Sequence, residues 1–294
     1  MSEPARPALE FTGERFTPEC VREMWLEHFA RYAFATRFAH GRRVLDCASG
    51  EGFGADLLAR VARQVDAVDV STQAIAHARQ RYAHNPRLSF HAASALALPF
   101  PDGHFDLVVS FETLEHLVEH EALLDEFARV LAPDGILLIS TPDKAVYSDQ
   151  AGYRNEFHPR ELYRPEFEAL LARQFAHTEI YGQQLLFQSA ISAAGQGIAA
   201  PRHAQLHTMR ADGVLVDGLA YDAMYLIAAC ARRSELLDPH RCLSHWFGDA
   251  AQSVYQHYQY EIRQGIRGGH RILELEAENA ALRAQLEALR RPHD

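Results

Sequence analysis

Val44-Leu45-Asp46-Cys47-Ala48-Ser49-Gly50-Glu51-Gly52-Phe53-Gly54 is the stretch on which the reading of this chain turns. An apolar strand, VLDC, gives way to a small-residue loop, ASGEGFG, and then to an apolar-periodic helix, ADLLARVA. Strand, glycine-rich turn and helix N-terminus together make a ligand-binding unit. Glycine lets a ligand approach the backbone, and the first helical turn carries N–H groups with no partner inside the helix. Asp46 ends the strand before the turn. Asp69 ends the next strand, VDAVD, roughly 20 residues on, where an acid can hold two ribose hydroxyls. The glycines stand at 50, 52 and 54, so the G-x-G-x-x-G spacing of a phosphate-binding dinucleotide fold is absent.

Working outward, the chain has 294 residues, of which 48% are hydrophobic and 23% charged, enough for one large α/β domain and an appendage. The net charge of −10 argues against a general nucleic-acid binder, which carries a basic stripe; the arginines here are scattered. The four cysteines, Cys20, Cys47, Cys230 and Cys242, form no C-x-x-C pair, which argues against a cysteine zinc site and a disulfide framework. There is no apolar signal-peptide core and no run approaching the ~18 apolar residues of a membrane span, so a reduced cytoplasmic setting is expected.

Strands are expected near 43–47, 65–70, 88–91, 105–110 and 136–141, with helices near 54–63, 72–83, 112–130 and 160–174 between and after them. Further strands near 177–182 and 224–230 complete the sheet. Alternation of this kind gives an α/β fold: a Rossmann-like, seven-stranded, mostly parallel sheet with helices on both faces, followed by a C-terminal helical coiled-coil segment. Pro133 and Gly135 punctuate a turn into the fifth strand. Ahead of the core lies an N-terminal cap segment, 1–40, with a helix from Cys20 to Phe38; it either covers a sheet edge or reaches over the substrate with Glu14, Arg15, His28 and Tyr32. The core domain spans 41–235, with an insertion at about 185–222 that reads as a lid or arm, and 236–294 is a helical tail.

Strand four runs into Phe111-Glu112-Thr113-Leu114-Glu115-His116-Leu117 at the carboxyl edge of the sheet, where open α/β folds bind ligands. In a helix starting there, Glu112, Glu115 and His116 share one face at i, i+3 and i+4. Three readings stay open: a solvated first turn, a general base at His116, and a divalent-metal site. His158, in NEFHPRELY after strand five, adds a candidate ligand.

D-x-A-S-G-x-G followed by V-D-V-S resembles the first two motifs of class I S-adenosylmethionine (SAM) methyltransferases, with Ala48 where that family usually has glycine. HAASALALPFPDG resembles the family's adenine-wrapping segment, with Ser94 in place of the usual acid. The resemblance implies cofactor contacts from Asp46, Ala48, Gly50, Gly52, Asp69, Val70, Ser94, Ala95 and Phe111. GERF-T-P…EH-x-x-RY-x-FA resembles the N-terminal segment of methyltransferases of bacterial glycan-biosynthesis clusters. E-x-x-E-H with the later His158 looks like the metal site of small-RNA terminal 2′-O-methyltransferases, although those enzymes carry more histidines around the second stretch; E-x-x-E-H alone also resembles ubiquinone-pathway O-methyltransferases. By matching position, Glu112, Glu115, His116 and His158 are implied as ligands for Mg²⁺ or Mn²⁺, with His116, His158 and Glu115 as the catalytic residues. The implied activity is metal-assisted O-methylation of a sugar or glycan hydroxyl. An RNA 3′-end methyltransferase, a quinone or natural-product phenol methyltransferase, and a non-catalytic scaffold are the alternatives. The intact Asp46, Gly50, Gly52 and Asp69 argue against the last.

In the tail, ILELEAENAALRAQLEAL places Ile272, Asn279 and Leu286 at heptad a and Leu275, Leu282 and Leu289 at d. A lone Asn at a specifies a parallel pair, so a homo-oligomer joined through 271–290 is expected. Gly265, Gly268 and Gly269 are expected to stop the helix from extending upstream.

Overall fold

Along the strands, successive apolar residues point to opposite faces of the sheet, and each face has its own cover. On one face Val44, Leu107, Val109, Ile227 and Ala229 pack with Phe34, Phe38 and Leu58. On the other, Leu45, Val108, Leu137, Ala228 and Cys230 pack with Leu123, Phe127 and Phe167. The computed structural model describes residues 23–188, 206–241 and 244–290, and the N-terminal expectations on Glu14 and Arg15 lie outside that range.

In order, the elements are α1 (Glu23–Ala39), β1 (Arg43–Cys47), α2 (Phe53–Ala59), β2 (Gln64–Asp69), α3 (Thr72–Arg81), β3 (Leu88–Ala92) and β4 (Phe105–Ser110). They continue with a single 3₁₀ turn (Leu114–His116), α4 (His120–Val130), β5 (Leu131–Pro142), a π-helical turn (Ala145–Gln150), α5 (Arg164–Leu171) and β6 (His177–Gln183). A small hairpin, β7 (His207–Met209) and β8 (Leu215–Asp217), precedes β9 (Tyr225–Ala231); α6 (Ser253–Arg290) follows. The seven-stranded sheet has the order β3-β2-β1-β4-β5-β9-β6. All pairings are parallel except those of β9, which runs antiparallel to both β5 and β6. The carboxyl ends of β1, β2, β4, β5 and β6 therefore share one edge.

Three expectations need correction. No helix begins at Glu112: that residue has a left-handed φ of 50°, and Leu117 is extended (φ −122°, ψ 155°), so one 3₁₀ turn stands where a helix was expected and α4 starts at His120. β5 reaches back to Leu131 through Pro133 and Gly135, with a register irregularity between Phe105 and Leu107 on its partner absorbing the turn. α6 runs unbroken through Gly265, Gly268 and Gly269, because about 1 kcal/mol per glycine does not stop a helix otherwise rich in good formers. The described residues divide into two units, one running from Met24 to Phe247 and the other from Gly248 onward together with Glu23. Among them, no helix is long and apolar enough to cross a membrane.

Candidate functional site

The alternation that puts Val44 on the α1 face also puts Asp46 there. The Tyr32 hydroxyl, on α1, donates to Asp46 Oδ1 at 3.0 Å. Asp46 is fully buried, and burial is the main cause that pushes its carboxyl up to about 7, against the lowering effect of the Tyr32 bond. Its Oδ2 has no hydrogen-bond partner among the described residues, and neither have the buried hydroxyls of Ser49 and Ser110. Unpartnered polar atoms of this kind are costly and mark places where a ligand completes the structure.

The loop after β1 is shaped by left-handed backbone at Ala48 (φ 61°), Gly50 (φ 54°) and Gly52 (φ 93°). A Cβ at Gly52 would lie 2.8 Å from the Phe90 ring, whereas one at Gly50 would meet none of the described residues within 4 Å. Gly50 thus faces open space, and Gly52 is pressed against the protein. Gly54 is required too: a Cβ there would fall 2.1 Å from Tyr32, where α1 crosses the start of α2. Asp69 fastens the loop to β2, with Oδ2 accepting from the Gly50 amide (2.9 Å) and Oδ1 from the Ser71 amide (2.8 Å). Glu51, 1% exposed, braces it from behind through Arg81 Nε (3.0 Å) and the Tyr82 hydroxyl (3.1 Å).

Val70 is exposed beside this loop, and Phe111 is buried edge-on to Tyr32. Ser94 Oγ accepts from the Leu96 amide, making a local turn. The segment that follows, including Ala95 at its start, is pinned to α4. The Leu98 amide donates to Glu126 Oε1 (2.6 Å), and Arg129 donates to the Leu98 and Phe100 carbonyls. The predicted cofactor residues are thereby gathered at the carboxyl ends of β1, β2, β3 and β4.

A second group forms around the 3₁₀ turn. Ligand-capable atoms of Glu115, His116 and His158 lie within 4.8 Å of one another. Glu115 is buried and accepts from Thr141 Oγ1 (3.2 Å); burial, with the Glu112 charge second, holds its carboxyl well above the usual range. His116 Nδ1 lies 3.0 Å from the Phe157 carbonyl, which only accepts, so Nδ1 bears the proton and Nε2 is the basic nitrogen. His158 Nδ1 donates to Glu161 Oε1 (2.8 Å), and Asn155 Nδ2 donates to its Nε2 (3.1 Å). A carbonyl and a carboxylate behind two imidazoles are the outer partners that orient histidine ligands, so once Asn155 turns away from His158 Nε2, whose lone pair it occupies, one carboxylate and two histidines fit a divalent ion. Glu112 lies outside the group. Its amide donates to Ser140 Oγ (3.1 Å), and its Oε1 accepts from the same hydroxyl (2.6 Å).

Sequence reasoning missed the residues that hold these groups. Arg31, 1% exposed, comes within 4.0 Å of Glu112 Oε1, donates to Gln183 Oε1 at 2.8 Å and stacks over Tyr225. A basic residue in an apolar-periodic helix reads as its solvated side, so nothing in the sequence marked it. Glu161 did carry a signal: it stands three residues after His158 in FHPRE.

Residues 45–139 match the family described as methyltransferase domain. A probable S-adenosylmethionine-dependent methyltransferase of Mycobacterium tuberculosis is 42% identical over 171 residues, which are 57% of this chain and 61% of that protein. A ubiquinone biosynthesis O-methyltransferase of Sinorhizobium medicae is 28% identical over 142 residues, covering 48% of this chain and 56% of that protein. The chain thus spans about three-fifths of the length of the more similar relative. The YcgJ protein of Bacillus subtilis shares the fold, with a TM-score of 0.50 at 20% identity over 70% of this chain and 100% of that one.

Proposed function

We propose that this protein is a SAM-dependent O-methyltransferase that modifies a hydroxyl of a sugar or glycan with the help of a divalent metal. The observation that carries methyl transfer is the loop after β1, where a left-handed backbone and the Asp69 clamp surround buried oxygens of Asp46 and Ser49 that lack a partner among the described residues. A SAM molecule fits this cradle on three counts: Gly50 faces open space, Asp46 Oδ2 waits for a donor, and Asp69 stands where a ribose is held. The match to a methyltransferase domain and the 42% identical relative support the reading.

Bound there, SAM would supply an electrophilic methyl group on a sulfonium, and a divalent ion at the Glu115 group would make an acceptor hydroxyl more acidic. The protein's own part is positional. Glu115, His116 and His158 would hold the Mg²⁺ or Mn²⁺ ion, with Thr141, the Phe157 carbonyl and Glu161 fixing the three side chains. Holding the acceptor oxygen in line with the methyl would then supply much of the acceleration. A second reading, favoured by the Phe157 bond that leaves His116 Nε2 basic, has His116 take the hydroxyl proton directly.

The sugar or glycan class is supported by the resemblance of residues 11–183. The −10 charge counts against an RNA acceptor, and the Sinorhizobium relative supports a quinone-type phenol as the runner-up. The test is incubation with labelled SAM and a panel of nucleotide sugars, glycans, catechols and RNA, with and without EDTA. Glu115→Ala and His116→Ala are expected to abolish turnover while leaving SAM affinity, by calorimetry, largely intact. Full activity in excess EDTA, with no metal detected in the purified protein, would instead support the general-base reading for His116 or His158.

A further inference from the structure

Between α1, the end of β6 and residues 244–247 lies a cavity of about 360 Å³ that the cofactor cradle does not use. β6 runs parallel to β5, and Tyr225 of β9 pairs with both Pro142 and Gln183, so the cavity opens at the same sheet edge as the Glu115 group. Two strand spacings, roughly 10 Å, separate β5 from β6. Arg31 connects the two places. Its Nη1 touches Gln183 at the cavity and approaches Glu112, and its Nε, in a side chain 1% exposed, has no hydrogen-bond partner among the described residues. A buried guanidinium N–H left unpaired is costly, and a ligand oxygen would satisfy it.

The lining is of two kinds. Phe34, Tyr181 and Trp246 provide aromatic surface; Glu27, Arg31 and Gln184 provide a carboxylate, a guanidinium and a carboxamide. A sugar ring needs both. Its C–H faces are apolar and pack on aromatic rings. Each hydroxyl on its rim donates and accepts, and a neighbouring pair matches a two-atom polar group such as a carboxylate or guanidinium fork. A phenol or quinone of similar size would use the aromatic walls but carries one or two ring oxygens where a sugar carries several, and so meets fewer of the three polar groups.

We infer that this cavity is the saccharide-binding site of the acceptor, with Arg31 as the cation that reads a sugar oxygen beside the reacting edge. The inference rests on the methyltransferase reading above and adds where its acceptor sits. Its size is that of an ordinary small-ligand pocket, suited to one sugar unit of a longer glycan.

The test uses the full chain and calorimetry, first with SAM, then with methyl glucoside, methyl rhamnoside and UDP-glucose, with catechol as the planar aromatic comparison. Leu219→Trp, a substitution on the cavity lining outside the cofactor cradle, should weaken glycoside binding by about tenfold or more, with SAM affinity and the melting temperature close to wild type. Arg31→Lys, which keeps the charge and loses the fork, should weaken it likewise. Glycoside affinity unchanged in Leu219→Trp overturns the inference. So does catechol binding that is lost in the same variant, or the absence of glycoside binding in a protein that binds SAM. Failure to bind SAM strikes the methyltransferase reading instead, and the glycoside titration still decides the cavity.

Discussion

Asp69 and Asp46 stand on neighbouring strands and do different work. Asp69 divides its two oxygens between the Gly50 and Ser71 amides, so each oxygen still has a lone pair for a ribose hydroxyl while the loop hangs from it. Asp69→Ala is expected to weaken SAM binding by about 2 kcal/mol, the scale of hydrogen bonds to a charged group, and unchanged affinity by calorimetry would remove it from the site. Asp46 is a buried carboxyl whose value rises from 3.8 to about 7. Its folded-state value exceeds its unfolded one, so the folded protein binds the extra proton. The associated stability is fully present below pH ~4 and is lost as pH rises through ~7, an effect on the order of 4 kcal/mol. Asp46→Asn keeps the acceptor for Tyr32 and lacks the titration. The melting temperature of wild type relative to Asp46→Asn, without cofactor, should therefore fall between pH 4.5 and 7.5; a constant difference would show that Asp46 does not titrate there.

At the scale of elements, the strand–loop–helix unit separates two glycines that look alike in the sequence. Gly52→Ala must adopt φ 93° and push a methyl into Phe90, so a loss of about 2–3 kcal/mol in urea unfolding is expected. Gly50→Ala meets no neighbour, and Ala48 shows that this loop accepts alanine in left-handed backbone. It should cost only about 1 kcal/mol in stability and show its main effect in SAM affinity, because its methyl points into open space. Equal stability losses would contradict this division. The strands were legible because apolar runs bounded by polar turns have few other solutions, and Asp46 and Asp69 were legible because they end such runs. The Glu112–His116 stretch misled because helical spacing was assumed where the chain takes a left-handed step and then a single 3₁₀ turn. Glu115, His116 and His158 come together all the same, through the loop after β5 rather than a shared helix face. The clamps by Arg31 and Arg129 stayed hidden because long-range polar pairs leave no periodicity to read.

At the scale of the molecule, α6 raises the question of what covers it. It is 38 residues long, and Ile272, Leu275, Leu282 and Leu286 are 40–58% exposed. Apolar residues at heptad spacing on a long helix call for a second helix, since most helical stability comes from packing one face. The ion pairs Arg271 makes with Glu274 and Glu278 are exposed and contribute little. In a parallel pair, Asn279 meets its twin at an a position, and the register sets Arg271 against Glu276 and Glu278 against Arg283 across the seam. We propose a parallel homo-oligomer, most simply a dimer, joined through 271–290. The unbroken helix upstream strengthens the proposal, because the glycines expected to end it do not. Light scattering on the full chain should give a dimer at micromolar concentration, and a truncation ending near Ser253 should give a monomer. Asn279→Leu should raise stability and loosen the preference for two strands. A monomeric full chain would rule out the zipper, and a truncation that stays dimeric would move the interface off α6.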